Sequence, residues 1–568
     1  MRRIIAICIV LCCLDSLAQK PWEPGVFPIA CWRGPPPSHN TLKHYKTLRD
    51  CNFNVVGPTG GYTAETNRTL LDLCAKVGLK AIVTDGRVGP LMVLGDDWRE
   101  RIFQVVSDYG DHPALYGYHL LDEPSSLLFG PLGKISREIE RQAPAHLPYI
   151  NLLPTYANTE QLGAPDYKDH LARFGRITKP RLFSYDHYAL LKKGGIRPDY
   201  YENMELVRAE SVRTGIPWWY VHNSGAYSGY RVPTAAEMRW QVFTSLAYGT
   251  KGISYWHYWG RKQENEERTG VVDLDGKPTR LYGILKELNR ETQVLGDILL
   301  PTTCTEVLHV GTIPAGTRSL GKDTIVQLPS DKPLMVGLFQ AKTGHQFAMI
   351  VNRDYANPVQ FDASFPAHVV SVERISARDG SAAVLTLKER TLALNLPAGD
   401  GVLLRLTTNF DYPRPPKTLT TINFQFNTDD DMEGWDNLVD LSKEKVVNGS
   451  LTMTLGARDP HMQRVYLRVA AKTYRALRVR MRVMSGLPLA QVFWTTSDEP
   501  LFTATKHITF SIEPDGAWHE YEVPLVQHER WGGKEIRGIR LDPSVGKAEA
   551  GATVEIDWIV GVPMTPAP

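Results

Sequence analysis

The sequence predicts a multidomain α/β plus all-β protein, in which a (β/α)8 TIM barrel is followed by two β-sandwich domains. Eight short apolar segments alternate with amphipathic helical segments over about 275 residues, which is the usual count and size of this barrel. After Leu299 the segments become short and alternating, with turn residues between them, a pattern typical of β-sandwiches. The proline-rich stretch Asp411–Lys417 divides this all-β region in two as a stiff linker.

The barrel strands are predicted from apolar, aromatic-rich runs that are bounded by turn residues. They are Phe27–Trp32, Phe53–Pro58, Leu79–Asp85, Leu115–Glu123, Tyr149–Pro154, Leu182–Tyr188, Trp218–Asn223 and Gly252–Trp259. The predicted helices between them include Thr41–Asp50, Thr66–Val77, Trp98–Tyr109, Ile135–Gln142, Tyr201–Thr214 and Glu237–Tyr248. Gly78, Gly215 and Gly249 each lie between a helix and the next strand, where glycine favours the left-handed helix cap.

The predicted organisation has five parts: an export signal at 1–18, the barrel at 19–300, a small β-sandwich at 301–410, the linker at 411–420 and a second β-sandwich at 421–563. Arg2 and Arg3 precede the apolar run Ile4–Leu14, and small residues at Ser16–Ala18 fit a cleavage site. The run is too short to span a membrane, and no later segment is long enough. We therefore expect a secreted or periplasmic protein, with attachment to the cell surface through a signal-region cysteine as the alternative.

Composition and cysteine usage narrow the classes of partner and cofactor. Hydrophobic residues make up 43% of the chain and charged residues 22%, as in ordinary soluble globular proteins. The formal net charge of +2 gives no indication of a nucleic-acid partner or a strongly acidic one. Cys31 and Cys74 fall in predicted elements as buried free thiols, whereas Cys51 and Cys304 could be free or paired. Their spacing fits no zinc pattern, so we expect no metal.

The residues at the carboxyl ends of the predicted strands are the candidate site, because active sites of (β/α)8 barrels form at that face. They are Trp32, Asp85, Asp122, Glu123, Asn151, Asp186, His187, Tyr188, His222, Asn223, Trp256, His257 and Trp259. Carboxylates supply acid/base chemistry, and flat indole and phenol rings stack on sugar rings. Of Trp256 and Trp259, one could instead belong to the core. The set predicts a carbohydrate substrate and requires no cofactor.

Glu123 is the predicted proton donor in the cleavage of a glycosidic bond. It closes the run Leu115–Pro124 beside Asp122, and burial together with a neighbouring acid raises a glutamate pKa toward neutrality. The alternative is that the two acids only cap the next helix. Cleavage also needs a second carboxylate, for which Asp186 is the first candidate, Asp122 the second and Asp85 the third. The alternative for Asp186 is that it only orients other groups by hydrogen bonding. Asp122 should point away from Glu123 if the strand remains extended.

With these strand ends in view, the first 300 residues resemble the barrel glycoside hydrolases of the large clan that carries its acid/base glutamate after strand four. The matching elements are Trp32, Asp-Glu-Pro at 122–124, Asp-His-Tyr at 186–188 and the helix-and-strand pattern from Glu237 to Trp256. Asn352–Asp354 and Pro397–Arg405 are similar to the β-domain that often follows such barrels, while Asp515–Tyr521 and Ile556–Trp558 look like parts of a carbohydrate-binding β-sandwich. The resemblance implies a glycosidase with Glu123 as its acid/base residue.

The chain departs from that clan at strand seven, where the clan places a nucleophilic glutamate and this sequence has His222 and Asn223. The residue before the acid/base is also different, Asp122 in place of asparagine. The leading hypothesis is a secreted glycoside hydrolase that acts on a poly- or oligosaccharide. The alternatives are a non-catalytic carbohydrate-binding protein on a degenerate barrel and a polysaccharide lyase. Because Asp186 is two strands from Glu123, a strand spacing of about 4.8 Å puts their strand ends roughly 10 Å apart, which favours an inverting geometry.

Two further sets of residues have competing explanations. His119, His187, His222 and His257 lie on separate predicted strands, so sugar binding or packing explains them better than a metal site does. In the last domain, the candidates for a sugar-binding platform are Trp435, Trp494, Trp518 and Trp531. Sandwiches also bury tryptophan, so we expect one or two of these four to be exposed.

Overall fold

The computed structural model describes residues 24–88, 94–263, 266–322, 324–341, 344–408, 419–429, 431–435, 437–456, 459–484, 488–499, 502–545 and 551–564. The predicted export signal at 1–18 lies outside these residues, as does most of the predicted linker at 411–420. The chain divides into two compact units, Met1–Phe410 and Asp411–Pro568. Within the described residues, no helix combines the length and the hydropathy that a membrane span requires.

The first unit contains the predicted barrel. Its strands are β1 (Ile29–Cys31), β2 (Val55–Val56), β3 (Lys80–Asp85), β4 (Leu115–Asp122), β5 (Leu147–Asn151), β6 (Phe183–Asp186), β7 (Trp218–Asn223) and β8 (Ile253–Trp256). They are hydrogen-bonded in the order β5-β4-β3-β2-β1-β8-β7-β6, with every pair parallel. The Leu152 amide donates to the Ser184 carbonyl over 2.7 Å and joins β5 to β6, which closes the barrel. The predicted (β/α)8 fold is confirmed.

Inward-facing side chains fill the barrel, so its interior is a packed core. They include Ala30, Trp32, Val55, Ile82, Leu147, Tyr149, Leu182, Trp219 and Val221. The alternation of a strand explains this arrangement: on β7, Trp219 and Val221 face inward while Trp218, Tyr220 and His222 face the helices. Six of the eight strands end earlier than predicted, because the last residues of those apolar runs already belong to the loops at the barrel mouth, whereas β3 and β7 end at Asp85 and Asn223 as predicted.

The helices are α1 (Leu42–Asp50), α2 (Ala64–Val77), α3 (Trp98–Tyr109), α4 (Phe129–Gln142), α5 (Thr159–Leu162), α6 (Tyr167–Arg173), α7 (Tyr200–Thr214), α8 (Ala235–Ala247) and α9 (Arg280–Leu299). Gly78 and Gly215 have φ of 72° and cap α2 and α7 in the left-handed conformation, as predicted. Thr234 and Glu237 form a reciprocal capping box at the start of α8.

A small β-sandwich follows α9 within the same unit. One sheet contains Arg318–Ser319, Thr302–His309, Leu334–Ala341, Gln346–Asn352, Gly401–Thr408, Val369–Ile375 and Ala382–Val384, and the other contains Val359–Ser364 and Thr391–Leu396. The backbone at Gly337 lies so close to α8 that an added Cβ would stand 1.9 Å from the Ala247 carbonyl oxygen. Contact between sandwich and barrel therefore requires a residue without a side chain at that point.

Two buried or half-buried cations also join the barrel to this sandwich. Lys251 Nζ donates to the carbonyl oxygens of Leu299 and Thr302 over 2.7 and 2.6 Å. Arg239 Nη2 on α8 lies 2.8 Å from Glu291 on α9 and 2.8 Å from Asp400 in the sandwich. Burial lowers the pKa of Lys251 to about 8, and its charge is stabilised by carbonyl oxygens instead of carboxylates.

The second unit is a separate β-sandwich. One sheet contains Asn423–Phe424, Leu441–Val447, Ser450–Leu455, Thr553–Pro563, Tyr474–Val483 and His519–Val523, and the other contains Asn437–Val439, His461–Ala470, Glu535–Asp542, Leu489–Thr496 and His507–Ser511. Trp435, Trp494 and Trp531 are buried in its core, whereas Trp518 is half-buried on the surface between Arg480 and Arg482. Of the four predicted platform residues, Trp518 alone retains an accessible ring.

All four cysteines after the predicted signal are buried free thiols. This confirms the prediction for Cys31 and Cys74 and decides the open question for Cys51 and Cys304. Burial raises the pKa of Cys31 and Cys304 to about 12, so neither is a reactive thiolate at neutral pH.

Candidate active site

The carboxyl groups of Asp122, Glu123 and Asp186 lie near Asn151, at the carboxyl ends of β4, β5 and β6. Asn151 Nδ2 donates to Asp186 Oδ1 over 2.7 Å and to Asp122 Oδ1 over 3.2 Å. The Ser184 hydroxyl donates to Asn151 Oδ1 over 3.0 Å and fixes the orientation of the amide. Asn151 therefore holds two acids, from the strands on either side of β5, in one cluster.

Glu123 enters the cluster through an uncommon backbone conformation. Its φ is 48°, a left-handed value that costs free energy in a residue other than glycine and occurs preferentially at functional sites. Its amide donates to the Asn151 carbonyl oxygen over 2.8 Å. The Glu123 carboxyl is hydrogen-bonded to that of Asp186. The extended strand ends at Asp122, so the expected opposite orientation of Asp122 and Glu123 does not apply here.

The three acids perturb one another strongly. Burial raises the pKa of Asp122 to about 6, against the opposing effects of the Asn151 hydrogen bond and the Arg33 charge. Burial and then the Asp122 charge raise the pKa of Glu123 to about 7. The pKa of Asp186 is raised well above its ordinary value by burial and by the charges of Glu123 and Asp122. The cluster therefore retains a proton at neutral pH.

Access to the cleft differs among the three carboxyls. Asp122 and Glu123 are open to solvent on one side, although protein atoms crowd them on the others, whereas Asp186 is 3% exposed. Glu123 thus combines a raised pKa with a path to a substrate. Asp186 lies behind it and can act on its proton.

Asp85, the third candidate for the second carboxylate, belongs to a different interaction. The Tyr109 hydroxyl donates to it over 2.6 Å, and Arg87 Nη2 lies 2.8 Å from it. Burial alone would raise the pKa of Asp85, but these hydrogen bonds and the Arg87 charge hold it below its usual range. Asp85 is therefore an ionised partner of Arg87 that links β3 to α3, and the Asn151 cluster forms without it.

The tryptophans of the rim separate into one surface residue and two packed ones. Trp256 is half-buried at the mouth, with Arg33 Cζ 5.3 Å from its ring centroid. Trp32 is 4% exposed and packs edge-on against Trp256 at 5.8 Å, inside the barrel. Trp259 packs against His39 and His44 and donates its Nε1 hydrogen to the Leu274 carbonyl over 3.3 Å. Of these three, Trp256 is the one positioned to stack on a sugar.

The predicted polar residues at β7 and the histidines are buried. His222 points toward α8, 3.1 Å from the Ser245 hydroxyl, and burial lowers its pKa to about 3. The Asn223 amide group donates to the Arg231 carbonyl over 3.3 Å, and His187 Nε2 lies 3.2 Å from Asp199. His257 lies beneath Trp256 with its ring stacked at 5.4 Å. These side chains support the mouth from below, and the cleft surface is formed by others.

The residues that sequence reasoning missed are aromatic and cationic side chains on the loops after β5, β6 and β7. Rings follow one another from Trp256 to Tyr227 (6.2 Å), from Tyr227 to the predicted Tyr188 (5.5 Å) and from Tyr188 to Tyr230 (5.6 Å). Tyr156 and Arg197 extend the series, with the guanidinium carbon 3.8 Å from the Tyr156 centroid. The tyrosine-rich sequence Ala226–Tyr230 was the available signal. We call this series, Trp256 to Arg197, the aromatic wall.

The comparisons with known proteins give a structural likeness and no sequence match. No protein-family model matches the chain, and no curated protein does. The chain is similar in structure to solved glycoside hydrolases. Arthrobacter globiformis T6 isomalto-dextranase, complexed with panose, matches with 12% identity and a TM-score of 0.41 over 94% of this chain and 96% of that one. The β-galactosidase from Bacillus circulans sp. alkalophilus matches with 9% identity and a TM-score of 0.46 over 67% of this chain and 99% of that one.

A third solved structure is matched over less of its length. The chain and the β-galactosidase from the psychrophilic Marinomonas ef1 are 12% identical, with a TM-score of 0.36. The match covers 48% of this chain and 61% of that enzyme, which is less than two thirds of its length.

Proposed function

We propose that the protein is a glycoside hydrolase that cleaves glycosidic bonds of a poly- or oligosaccharide, with Glu123 as the general acid. The observation that carries this proposal is the hydrogen-bonded pair of Glu123 and Asp186 at the open end of the barrel. Two carboxyls in contact cannot both ionise readily, so the pair holds a proton where a substrate would meet it. A glutamate pKa of about 7 suits a proton donor that works near neutral pH.

In the proposed reaction Glu123 gives its proton to the glycosidic oxygen as the bond between that oxygen and the anomeric carbon breaks. The positive charge that develops on the sugar ring is stabilised by the carboxylates that remain ionised in the cluster. Asn151 keeps Asp122 and Asp186 in place throughout, because its amide hydrogens are already directed at both. Trp256 supplies the apolar surface on which the sugar ring rests.

The roles of the two other acids depend on their access to the cleft. Asp186 is buried against Glu123, so we assign it to control of the Glu123 proton. Asp122 is open to the cleft and is the better placed of the two to accept a proton from the water whose oxygen bonds to the anomeric carbon. The strand-spacing expectation for an inverting pair of Glu123 and Asp186 stays a prediction, although a hydrogen bond between the two carboxyls favours a closer pair than that expectation assumed.

A panel of polysaccharides and aryl glycosides tests this proposal, with the release of new reducing ends as the readout. Hydrolysis of at least one glycoside that stops in the Glu123→Gln variant is the expected result. A folded protein that binds glycans and hydrolyses none would favour the alternative of a carbohydrate-binding protein on a degenerate barrel. An unsaturated product, detected by its ultraviolet absorbance in the absence of hydrolysis, would favour the lyase alternative.

Location and accessory binding complete the proposal. The basic and apolar start of the chain supports export, which N-terminal sequencing of the protein recovered outside the cytoplasm would test. The half-buried Trp518 between Arg480 and Arg482 supports a sugar-binding role for the second unit. A Trp518→Ala variant that keeps full affinity for the polymeric substrate would exclude that residue from the role.

A further inference from the structure

Arg197 has a guanidinium group whose hydrogen-bonding capacity is largely unused. Its Nη2 donates to the Tyr230 hydroxyl over 3.1 Å, and its Nε is buried without a hydrogen-bond partner. Within the part of the chain that the structure describes, no carboxylate lies within ion-pair distance of it. A guanidinium carries five donor hydrogens, and leaving buried donors unsatisfied is costly. Arg197 is therefore set up to accept an oxygen-rich partner that the protein does not provide.

The position of Arg197 places this capacity at the catalytic cleft. Tyr156, Arg197 and Tyr230 lie on the loops that follow β5, β6 and β7, and Asp186 ends β6. The guanidinium lies 3.8 Å from the Tyr156 centroid, and the aromatic wall continues from there to Trp256. A sugar chain that stacks on Trp256 and reaches the carboxyl cluster would extend along this wall toward Arg197.

The electrostatic coupling of the wall to the cluster agrees with this placement. After burial, the charge of Asp186 is the largest cause that raises the pKa of Tyr156, of Tyr188 and of Tyr227. All three hydroxyl-bearing rings thus lie within electrostatic reach of the same carboxyl. Tyr156 contacts Arg197 and lies within electrostatic reach of Asp186, so a partner of Arg197 would be bound in the same cleft as the carboxyl cluster.

The loops that carry Arg197 are fixed before any ligand arrives. The Arg197 amide donates to the Ala189 carbonyl over 3.0 Å, and the Lys192 amide donates to the Gly229 carbonyl over 2.7 Å. Arg231 Nη1 donates to the carbonyls of Leu191 and Gly195 over 2.6 and 2.8 Å, while its guanidinium also pairs with Glu237 at the start of α8. A rigid frame lowers the entropic cost of binding and so favours a recognition role.

Two other arginines of the same barrel face are paired with carboxylates of the protein. Arg87 is paired with Asp85 and Asp108, and Arg231 with Glu237 and two carbonyls. Both arginines stabilise the fold through these contacts. Arg197 differs because Tyr156 lies 3.8 Å from its guanidinium carbon, while Tyr230 lies farther away, at 5.7 Å by ring centroid, and supplies the one acceptor through its hydroxyl. An aromatic ring on one face of a guanidinium strengthens its attraction for an oxyanion at its edge by keeping water away from that face.

We propose that Arg197 and its two flanking tyrosines form a subsite for an acidic sugar substituent, so that the substrate is an anionic glycan. This inference rests on the proposed function, since it names the substrate class of the same cleft. A uronic acid carboxylate and a sulfate ester share the chemistry that is required, an oxyanion with several acceptor oxygens. The planar guanidinium matches the carboxylate in a bidentate pair. The net charge of +2 does not indicate a preference for anionic substrates, because the proposed subsite depends on one arginine.

Binding to the Glu123→Gln protein tests the proposal without turnover. The probes are an array of neutral, uronic-acid-containing and sulfated oligosaccharides, followed by titration calorimetry on the members that bind. We expect at least one acidic oligosaccharide to be bound, and its affinity to fall about tenfold or more when Arg197→Gln is added. Preference for the uronic acid members identifies a carboxylate, and preference for the sulfated members identifies a sulfate ester.

Two control variants separate recognition from structure. Arg68→Gln removes an equal charge from the exposed face of α2, where Arg68 lies 3.9 Å from Asp108, and should leave the affinity unchanged. Arg197→Lys keeps the charge and loses the planar fork, so it should bind a carboxylate with intermediate affinity. A bound set without any acidic member, or acidic binding that Arg197→Gln does not weaken in a folded protein, overturns the proposal.

The outcomes also distinguish this inference from the proposed function. Hydrolysis of neutral glycans with no binding of acidic ones would keep the glycosidase proposal and exclude the acidic subsite. Binding of an acidic glycan that depends on Arg197, with no hydrolysis by the wild-type protein, would keep the subsite and exclude the glycosidase.

Discussion

The carboxyl groups of Glu123 and Asp186 are hydrogen-bonded to each other, although their strands are separated in the barrel by β5. Asn151, at the end of that intervening strand, bonds to Asp186 through its side chain and to Glu123 through its carbonyl. One residue therefore sets the distance between the two acids. The ends of barrel strands converge at one rim, and here that convergence brings two carboxyls close enough to share a proton.

Replacing Glu123 with glutamine should leave the fold intact and remove the proton donor. We expect kcat on a natural glycoside to fall by about 10²- to 10⁴-fold, the usual contribution of general acid catalysis. An aryl glycoside with a good leaving group should lose less, since its departure needs little protonation. Wild-type rates on the natural substrate would show that another residue is the acid.

The alkaline limb of the pH–rate profile should report the Glu123 proton. The raised pKa of about 7 means that the protonated donor predominates below this pH and is lost above it, so kcat/KM should fall as the pH rises through 7. Asp122→Asn removes the charge that raises this pKa and should shift the limb to lower pH, independently of its effect on the maximal rate. An unshifted limb would contradict the electrostatic coupling of the two acids.

Asp186→Asn should stabilise the protein, and more so at higher pH. The folded-state pKa of Asp186 lies above its unfolded value near 3.9, so its ionisation opposes folding: the penalty is absent below about pH 4 and grows as the pH rises toward the folded-state value. Asparagine can still accept the Asn151 hydrogen bond. Calorimetry should show a Tm higher than wild type by roughly 1–3 °C at pH 8 and a smaller difference at pH 4. The opposite trend would mean that Asp186 is ionised and stabilised in the native state.

Trp256 and Trp259 should respond to alanine in opposite ways. Trp256 is open to the cleft, so Trp256→Ala should raise KM or Kd for the glycan by about 3- to 10-fold with little loss of stability. Trp259 is 6% exposed beneath His39 and His44, so Trp259→Ala should cost about 3–5 kcal/mol of unfolding free energy. Denaturation curves alongside binding titrations compare the two. If Trp259→Ala weakened glycan binding as much as Trp256→Ala, Trp259 would also be a substrate-binding residue.

Removal of Thr421–Pro568 should spare the turnover of small soluble substrates and weaken binding to the polymer. The reason is that this segment falls in a compact unit separate from the barrel. Pull-down on insoluble polysaccharide, with hydrolysis of an aryl glycoside measured in parallel, tests both parts. Loss of all activity by a truncated protein whose circular dichroism shows a folded barrel would mean that the second unit contributes to the active site.

The sequence predicted the barrel well because its signal is local. Each strand is an apolar run ended by polar residues, and left-handed glycines such as Gly78 and Gly215 mark where helices stop. The same logic located Asp122, Glu123, Asn151 and Asp186 at one face, since the ends of parallel strands in a barrel share one rim. The structure places these four side chains together.

The other features of the site depend on side-chain contacts that cannot be predicted from the periodicity of the sequence. Asp85 ends a strand like Asp122 but is held by Arg87 and Tyr109. His222 ends β7, yet its position in the alternation directs it to α8. Arg197 and Tyr230 lie in irregular loops 33 residues apart and meet only through the packing of those loops. Side-chain direction and long-range partners are tertiary properties, so the chain order could not supply them.

The contacts that Lys251, Arg239 and Gly337 make between the barrel and the small sandwich limit how the domains can recombine during evolution. Because barrel helices, α9 and the small sandwich share buried cations and a backbone contact, a recombination event near Leu300 would leave charged groups without partners on both sides. We therefore expect the barrel and the small sandwich to be inherited together. New combinations of modules are expected at the proline-rich Asp411–Lys417 boundary, where exchange leaves both hydrophobic cores whole.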